Sequence, residues 1–219
     1  MGKISIVTKK QELILKAFQS NDFLKKNFYF TGGTALSLFY LQHRQSIDLD
    51  FFTQKEVNSQ VIIRIVDEWS RKYNFKYSSE FIEKIYIFHF NFPGKQKLKV
   101  DFAHYPYSRL KKGLKKQGMD VDSQFDIAVN KLMVVTQREN VKDFIDLYFL
   151  LKKFTFWDLF RGVDSKFKQR FEPTIIASDF LKVEEFDFLP KMVKSLDLEE
   201  LKKYYRNLAI KIGGRGVRK

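Results

Sequence analysis

The sequence predicts an α+β protein, with an amino-terminal α/β unit carrying a mixed or antiparallel sheet and a helical carboxy-terminal unit. Three observations support this. IYIFHFNF (85–92) and KLKVDFA (97–103) alternate apolar and polar residues around a Pro93-Gly94 turn, the pattern of a hairpin. From Phe125 onward the apolar residues recur at helical spacing. Between these regions RLKKGLKKQG (109–118) is basic and punctuated by glycine, and reads as a connector. The units are therefore assigned to residues 1–107 and 108–219, with the boundary inside 107–122.

Taken in order, KKQELILKAFQS (9–20) is an amphipathic helix, and FYFT (28–31) leads into a glycine turn. Ala35 to Leu41 is apolar almost all round and reads as a buried helix. Ser46 to Phe52 is a strand, and Val57 to Tyr73 is a helix whose apolar stripe runs through Val61, Ile65 and Trp69. Strands follow at 74–80, 85–92 and 97–103. Helices follow at 123–138 and 142–153, with several shorter ones from 155 to 211. The tail IGGRGVRK is expected to fray.

Composition sets the outer limits. With 219 residues, 44% of them hydrophobic and 24 of them Phe, the chain can bury a real core and is not disordered. No Cys is present, which excludes disulfides and thiolate metal sites and suits a reducing cytoplasm. The start, MGKISIVTKKQEL, lacks the apolar run of a signal peptide, and no stretch is apolar enough to predict a membrane span. The net charge of +14 favours a polyanionic partner, with nucleic acid the commonest.

The most specific chemistry lies in FTGGTALSLFYLQHRQSIDLDFF, residues 30–52. Gly32, Gly33 and Thr34 offer backbone N–H groups at a helix start, where phosphate binds. Asp48 and Asp50 alternate with Ile47, Leu49 and Phe51, so both carboxylates take one strand face and the apolar residues enter the core. Adjacent carboxylates repel unless a cation lies between them. Mg²⁺ (or Mn²⁺), held by carboxylates and a nucleoside triphosphate, supplies that cation. Asp101 in KLKVDFAHYPY alternates with Leu98, Val100 and Phe102 and is expected on the face of Asp48 and Asp50, as the third ligand of a two-metal site.

These residues resemble the minimal nucleotidyltransferases of the DNA polymerase beta superfamily, whose motif is a Gly-Gly/Ser-Ser/Thr turn, Asp-x-Asp and a third Asp on a later strand. Within it the chain is similar to the AbiEii/AbiGii toxin family. The resemblance rests on GGTAL (32–36), on Arg44, Ser46, Asp48 and Asp50 in R-x-S-x-D-x-D, and on FDIAVNKLMVVTQRENVKDFIDLYFLL (125–151) with Lys131, Arg138, Lys142-Asp143 and Asp146. It implies a polymerase-beta-like fold and a metal-dependent nucleotidyltransferase moving a nucleoside monophosphate from an NTP to RNA, with the tRNA 3′ acceptor end as target. It also implies the toxin role in a toxin–antitoxin or phage-defence pair, with an antitoxin partner of winged-helix type. Asp48, Asp50 and Asp101 carry over as metal ligands. Gly32, Gly33, Thr34, Arg44, Ser46 and Lys131 are the expected nucleotide-binding residues. The catalytic set comprises the three aspartates with Lys131 and Asp146.

Lys131 lies among Ile127, Ala128, Leu132 and Val135 and is expected to point into the cleft that the second unit completes, touching the triphosphate, with Asp146 orienting it. Asp143, beside Lys142 at a helix start, reads as ordinary helix-end chemistry. Arg138 admits either reading. His43, His89 and His104 lack metal-ligand spacing. Two rivals remain: transfer to a Ser, Thr or Tyr hydroxyl of a protein, and a non-catalytic module that binds RNA or a partner.

Overall fold

The structure, a computed structural model, describes residues 6–216. The first five residues and 217–219, the end of the tail expected to fray, lie outside the described residues. The chain divides into two compact units. One comprises the chain up to Leu38 with Ser46–Ser108 and Gly113–Asp122, and the other comprises Phe39–Gln45, Arg109–Lys112 and the chain from Ser123 on. The single boundary expected within 107–122 is thus replaced by several crossings. Segment 39–45 belongs with the helices, and 113–122 belongs with the sheet.

The first unit begins with α1 (Lys9–Gln19), started by a capping box in which Thr8 and Gln11 bond reciprocally. Next come α2 (Asp22–Asn27), β1 (Tyr29–Thr31), α3 (Gly32–Leu36), β2 (Leu49–Thr53) and α4 (Ser59–Tyr73). Strands β3 (Lys76–Ile82), β4 (Ile85–Phe92) and β5 (Gln96–His104) follow, then β6 (Leu114–Lys116) and β7 (Met119–Val121). Among the described residues they form a seven-stranded sheet in the order β3-β4-β5-β2-β1-β7-β6. The β2–β5 and β1–β7 pairs are parallel and the other neighbours antiparallel. The sheet is therefore mixed, as expected.

Two differences from the sequence reading have local causes. The second half of the supposed connector 109–118 is a hairpin: Gln117 and Gly118 both have positive φ (50° and 78°), and β6 and β7 flank them. This two-residue turn matches the strand twist, so LKK-QG-MDV closes on itself. The strand expected from Ser46 starts at Leu49 instead, leaving Ile47 exposed rather than in the core.

Aromatic packing fixes the register at the centre of the sheet. Phe18 of α1 stacks on Phe51 of β2 with ring centres 4.1 Å apart, and Phe51 stacks on Phe102 of β5 at 5.3 Å. All three are buried, and Phe51 and Phe102 are register partners. A slip of one residue would turn these rings to the opposite face, so their burial selects one pairing.

The second unit is helical: α5 (Gln124–Gln137), α6 (Val141–Leu151), α7 (Phe156–Phe167), α8 (Pro173–Phe180) with a 3₁₀ turn after it, and α9 (Leu198–Gly216). Buried Leu201, Tyr205, Ala209 and Ile212 form one stripe along α9, which carries the helix through Gly213 and Gly214, where fraying was expected. Tyr205 donates its hydroxyl to the Phe144 carbonyl at 2.7 Å. Segment 39–45 is bound into this unit, since Val193 and Gln45 donate their N–H groups to the carbonyls of His43 and Lys191. Segment 109–112 is held by buried Asp126, which accepts from the N–H groups of Leu110 and Lys111 and from Lys166 Nζ.

Candidate functional site

Buried strand β1 delivers the chain to Gly32, whose φ of +74° is open to glycine at little cost. Glycine is needed here for a second reason: a Cβ would stand 2.0 Å from Asp50 Oδ2. The turn and the Asp-x-Asp strand are thus pressed together, with Thr31 opposite Asp50 across the β1–β2 pair. Thr34 is fully buried, and its hydroxyl donates to the Asp48 carbonyl. The expected phosphate-contacting hydroxyl therefore holds the aspartate segment in place, and what the turn can offer a ligand is backbone N–H. The Ser46 carbonyl accepts from Gln11 Nε2 at 2.8 Å, so the same side chain that caps α1 also anchors the approach to Asp48.

Leu49 and Phe51 of β2 are buried and Asp50 between them is half-buried, while half-buried Asp48, expected on the strand, stands just before it. Asp101 is the direct register partner of Asp50 in the parallel β2–β5 pair, so the two carboxylates share one face. The aromatic ladder behind them sets this match. Asp101 is buried, with Oδ2 bonded to Lys99 Nζ at 2.5 Å and Oδ1 buried without a hydrogen-bond partner. Burial pushes the Asp101 carboxyl above its ordinary range against the pull of Lys99, and the nearby Asp48 charge adds to the rise. Among the described residues no three acidic or imidazole side chains converge as a complete metal cage.

The remaining expected residues gather in the second unit. Arg44 is buried and grips Asp146 with two bonds, Nε to Oδ1 at 2.7 Å and Nη2 to Oδ2 at 2.8 Å. Lys131 Nζ lies 2.7 Å from Asp146 and 2.5 Å from Asp143, which also receives Arg138 Nε at 2.8 Å. His43 Nε2 is 2.7 Å from Asp146 Oδ1. Burial holds the His43 pKa below its ordinary value despite the carboxylate, so a neutral ring donating through Nε2 fits the contact. Burial opposes the charge on Asp146, but Arg44 and Lys131 outweigh it and hold its carboxyl well below the usual range. Burial likewise opposes the charge on Lys131, and Asp146 and Asp143 keep its pKa raised.

The structure thus brings Gly32, Gly33, Thr34, Ser46, Asp48, Asp50 and Asp101 into one unit, and Arg44, Lys131 and Asp146 into the other. The ion pair between Lys131 and Asp146 is present. Asp143 stands in the first turn of α6 behind the Asn140 cap, as helix-end chemistry implies, and is in addition a buried partner of Lys131 and Arg138. Sequence reasoning gave Lys99 no role and discounted His43, which lacks metal-ligand spacing. The position of Lys99, two residues before Asp101 on a period-2 strand, is a signal that places both on one face.

Comparison with known proteins agrees with this architecture. A crystal structure of a candidate nucleotidyltransferase from Helicobacter pylori superposes with a TM-score of 0.59 at 22% identity, covering 95% of this chain and 96% of that one. JHP933 from H. pylori gives 0.57 at 21%, covering 97% and 95%. At such identities the likeness speaks for the fold. An uncharacterized protein of Aquifex aeolicus (strain VF5) is 37% identical over 138 residues. That match covers 61% of this chain and 61% of the A. aeolicus protein, so the chain spans about three fifths of this relative. The family described as "Nucleotidyl transferase AbiEii toxin, Type IV TA system" matches residues 13–212. The chain belongs to the AbiEii nucleotidyltransferase toxin family.

Proposed function

We propose that this protein transfers a nucleoside monophosphate from an NTP to an RNA hydroxyl, with the tRNA 3′ acceptor end as the target, and acts as the toxin of a toxin–antitoxin pair in the cytoplasm. The observation that carries the reading is the register pairing of Asp50 with Asp101 beneath the Gly32 turn, in a chain of this family. The net charge of +14 supports a polyanionic acceptor. The expected partner is an antitoxin protein, of winged-helix type on the family resemblance.

Asp50 and Asp101 suit a divalent ion that triphosphate oxygens help to hold, since no three such side chains converge among the described residues. Asp50 and Asp101 are like charges on one face, and Asp101 Oδ1 is a buried acceptor with no donor. Asp48, Asp50 and Asp101 would hold Mg²⁺ or Mn²⁺, which supplies neutralisation of the triphosphate and acidifies the attacking hydroxyl. The chain does the rest. Backbone N–H groups of residues 32–34 receive phosphate oxygens. Asp101, buried beside Asp50, takes the proton of the attacking hydroxyl as its oxygen bonds to the α-phosphorus of the NTP, and pyrophosphate leaves. Lys131 is a cation kept at one point by Asp143 and Asp146, and Arg44 holds Asp146 in turn.

Incubating the protein with Mg²⁺, α-labelled NTPs, total RNA and total protein tests the reading. Label should enter RNA, and Asp50→Ala should lose transfer while keeping its melting temperature. Label in protein would move the acceptor to a Ser, Thr or Tyr hydroxyl, and full transfer by Asp50→Ala would remove the carboxylate assignment.

A further inference from the structure

Strand β5 places Lys97, Lys99 and Asp101 on one face, opposite buried Leu98, Val100 and Phe102. Asp101 is therefore buried among its own sheet neighbours with a second carboxylate, Asp50, directly alongside. Such an arrangement is costly for a protein that must also be folded before any divalent ion arrives. Lys99 relieves it. Its ammonium touches Oδ2, while Oδ1 stays buried without a partner, so one oxygen carries a cation of the chain and the other is open. The Lys99 side chain is 36% exposed and that of Asp101 11%, so the ammonium has a route to water that the carboxylate lacks. A lysine suits this place: its charge sits on a flexible stem and binds one oxygen at a time, whereas an arginine fork would clamp both.

We propose that Lys99 is a built-in counter-ion of the carboxylate site, holding Asp101 in the ion-free protein and competing with the divalent ion for the Asp101 carboxylate, so that ion binding requires the ammonium to swing into solvent. This rests on the reading of Asp50 and Asp101 as metal-holding residues. It separates two roles for Lys99 by sign. If Lys99 competes, removing it tightens ion binding. If it only props Asp101 in place, removing it weakens ion binding.

The test is Mn²⁺ titration of the full chain without nucleotide, following free Mn²⁺ by electron paramagnetic resonance. Lys99→Met should bind roughly tenfold more tightly than the unaltered protein, the low end of what one charge-assisted hydrogen bond is worth. Lys99→Arg, which keeps the charge, should not show that gain. Equal or weaker binding by Lys99→Met overturns the competition while leaving the site reading intact, provided Asp101→Asn binds more weakly. Unchanged binding by Asp101→Asn overturns the site reading and the proposal with it. The unaltered protein offers a second measurement should Lys99→Met fold poorly. Its Lys99 side-chain NMR resonance, assigned by its loss in Lys99→Arg, should move as Mg²⁺ saturates the site, and a resonance that stays put at saturation overturns the proposal.

Discussion

Replacing Asp146 by Asn removes one charge and almost no volume, so its effect isolates electrostatics from packing. Asp146 is fully buried and meets Arg44 through two bonds of 2.7 and 2.8 Å, Lys131 at 2.7 Å and His43 at 2.7 Å. An amide has one acceptor oxygen and presents an NH₂ where a second is needed, so at least one cationic donor loses its partner. Asp143 remains, but it already serves Lys131 and Arg138. Breaking a buried pair by removing one partner costs about 3–5 kcal/mol. Urea unfolding at neutral pH measures this, and fluorescence locates it: Trp157 lies in the helical unit and Trp69 in the sheet unit, so single-tryptophan backgrounds report each separately. The loss should appear at Trp157. Adding Lys131→Met should restore part of the loss, because the surplus cation is then gone. The acid limb gives an independent reading. The folded Asp146 pKa lies well below the ordinary value of 3.8, so its contribution is complete above that value. It falls away as the pH drops through the lower folded value, and Asp146→Asn should lack that fall. A loss under about 1 kcal/mol, the range of exposed pairs, would refute the buried-network reasoning.

Two further outcomes test the sheet unit. Gly32→Ala meets both a positive φ and a Cβ 2.0 Å from Asp50 Oδ2, so Asp50 must move. Mn²⁺ affinity should drop at least about tenfold while thermal melting shows a loss of only about 1–2 kcal/mol, the cost of the left-handed backbone. Unaltered Mn²⁺ binding would show that the turn does not set the Asp50 carboxylate. Phe18→Ala removes the ring stacked on Phe51 and should cost about 3–5 kcal/mol in urea unfolding. A cost below about 1 kcal/mol would mean that this stack does not hold the β2–β5 register.

Most of the architecture was legible because its signals are local. The alternation in IYIFHFNF and KLKVDFA marks two strands wherever they pair, and α1, α4, α5 and α6 follow from apolar spacing; the structure adds the polar caps at Thr8, Asn58, Ser123 and Asn140. The Gly-Gly-Thr turn, Asp48 and Asp50 were visible as a motif. Asp101 was placed on the right face by period 2 alone. The hairpin at 114–121 was missed because its lysines outweighed its weak alternation, and the Gln-Gly turn was read as loop.

By itself, then, the sequence determined most of the strands and helices, the glycine turn, the shared face of Asp50 and Asp101, and the family. Beyond the expected Lys131–Asp146 pair, only tertiary structure decided which charges meet. Arg44 finds Asp146 across 102 residues, and Lys166 finds Asp126 across 40. A charged residue looks the same in a sequence whether it is solvated or buried against its opposite. Periodicity reports which way a side chain faces along its own element. The partner on the far side is set by how distant elements pack, and the burial of Phe18, Phe51 and Phe102 is what fixes that packing at the carboxylate site.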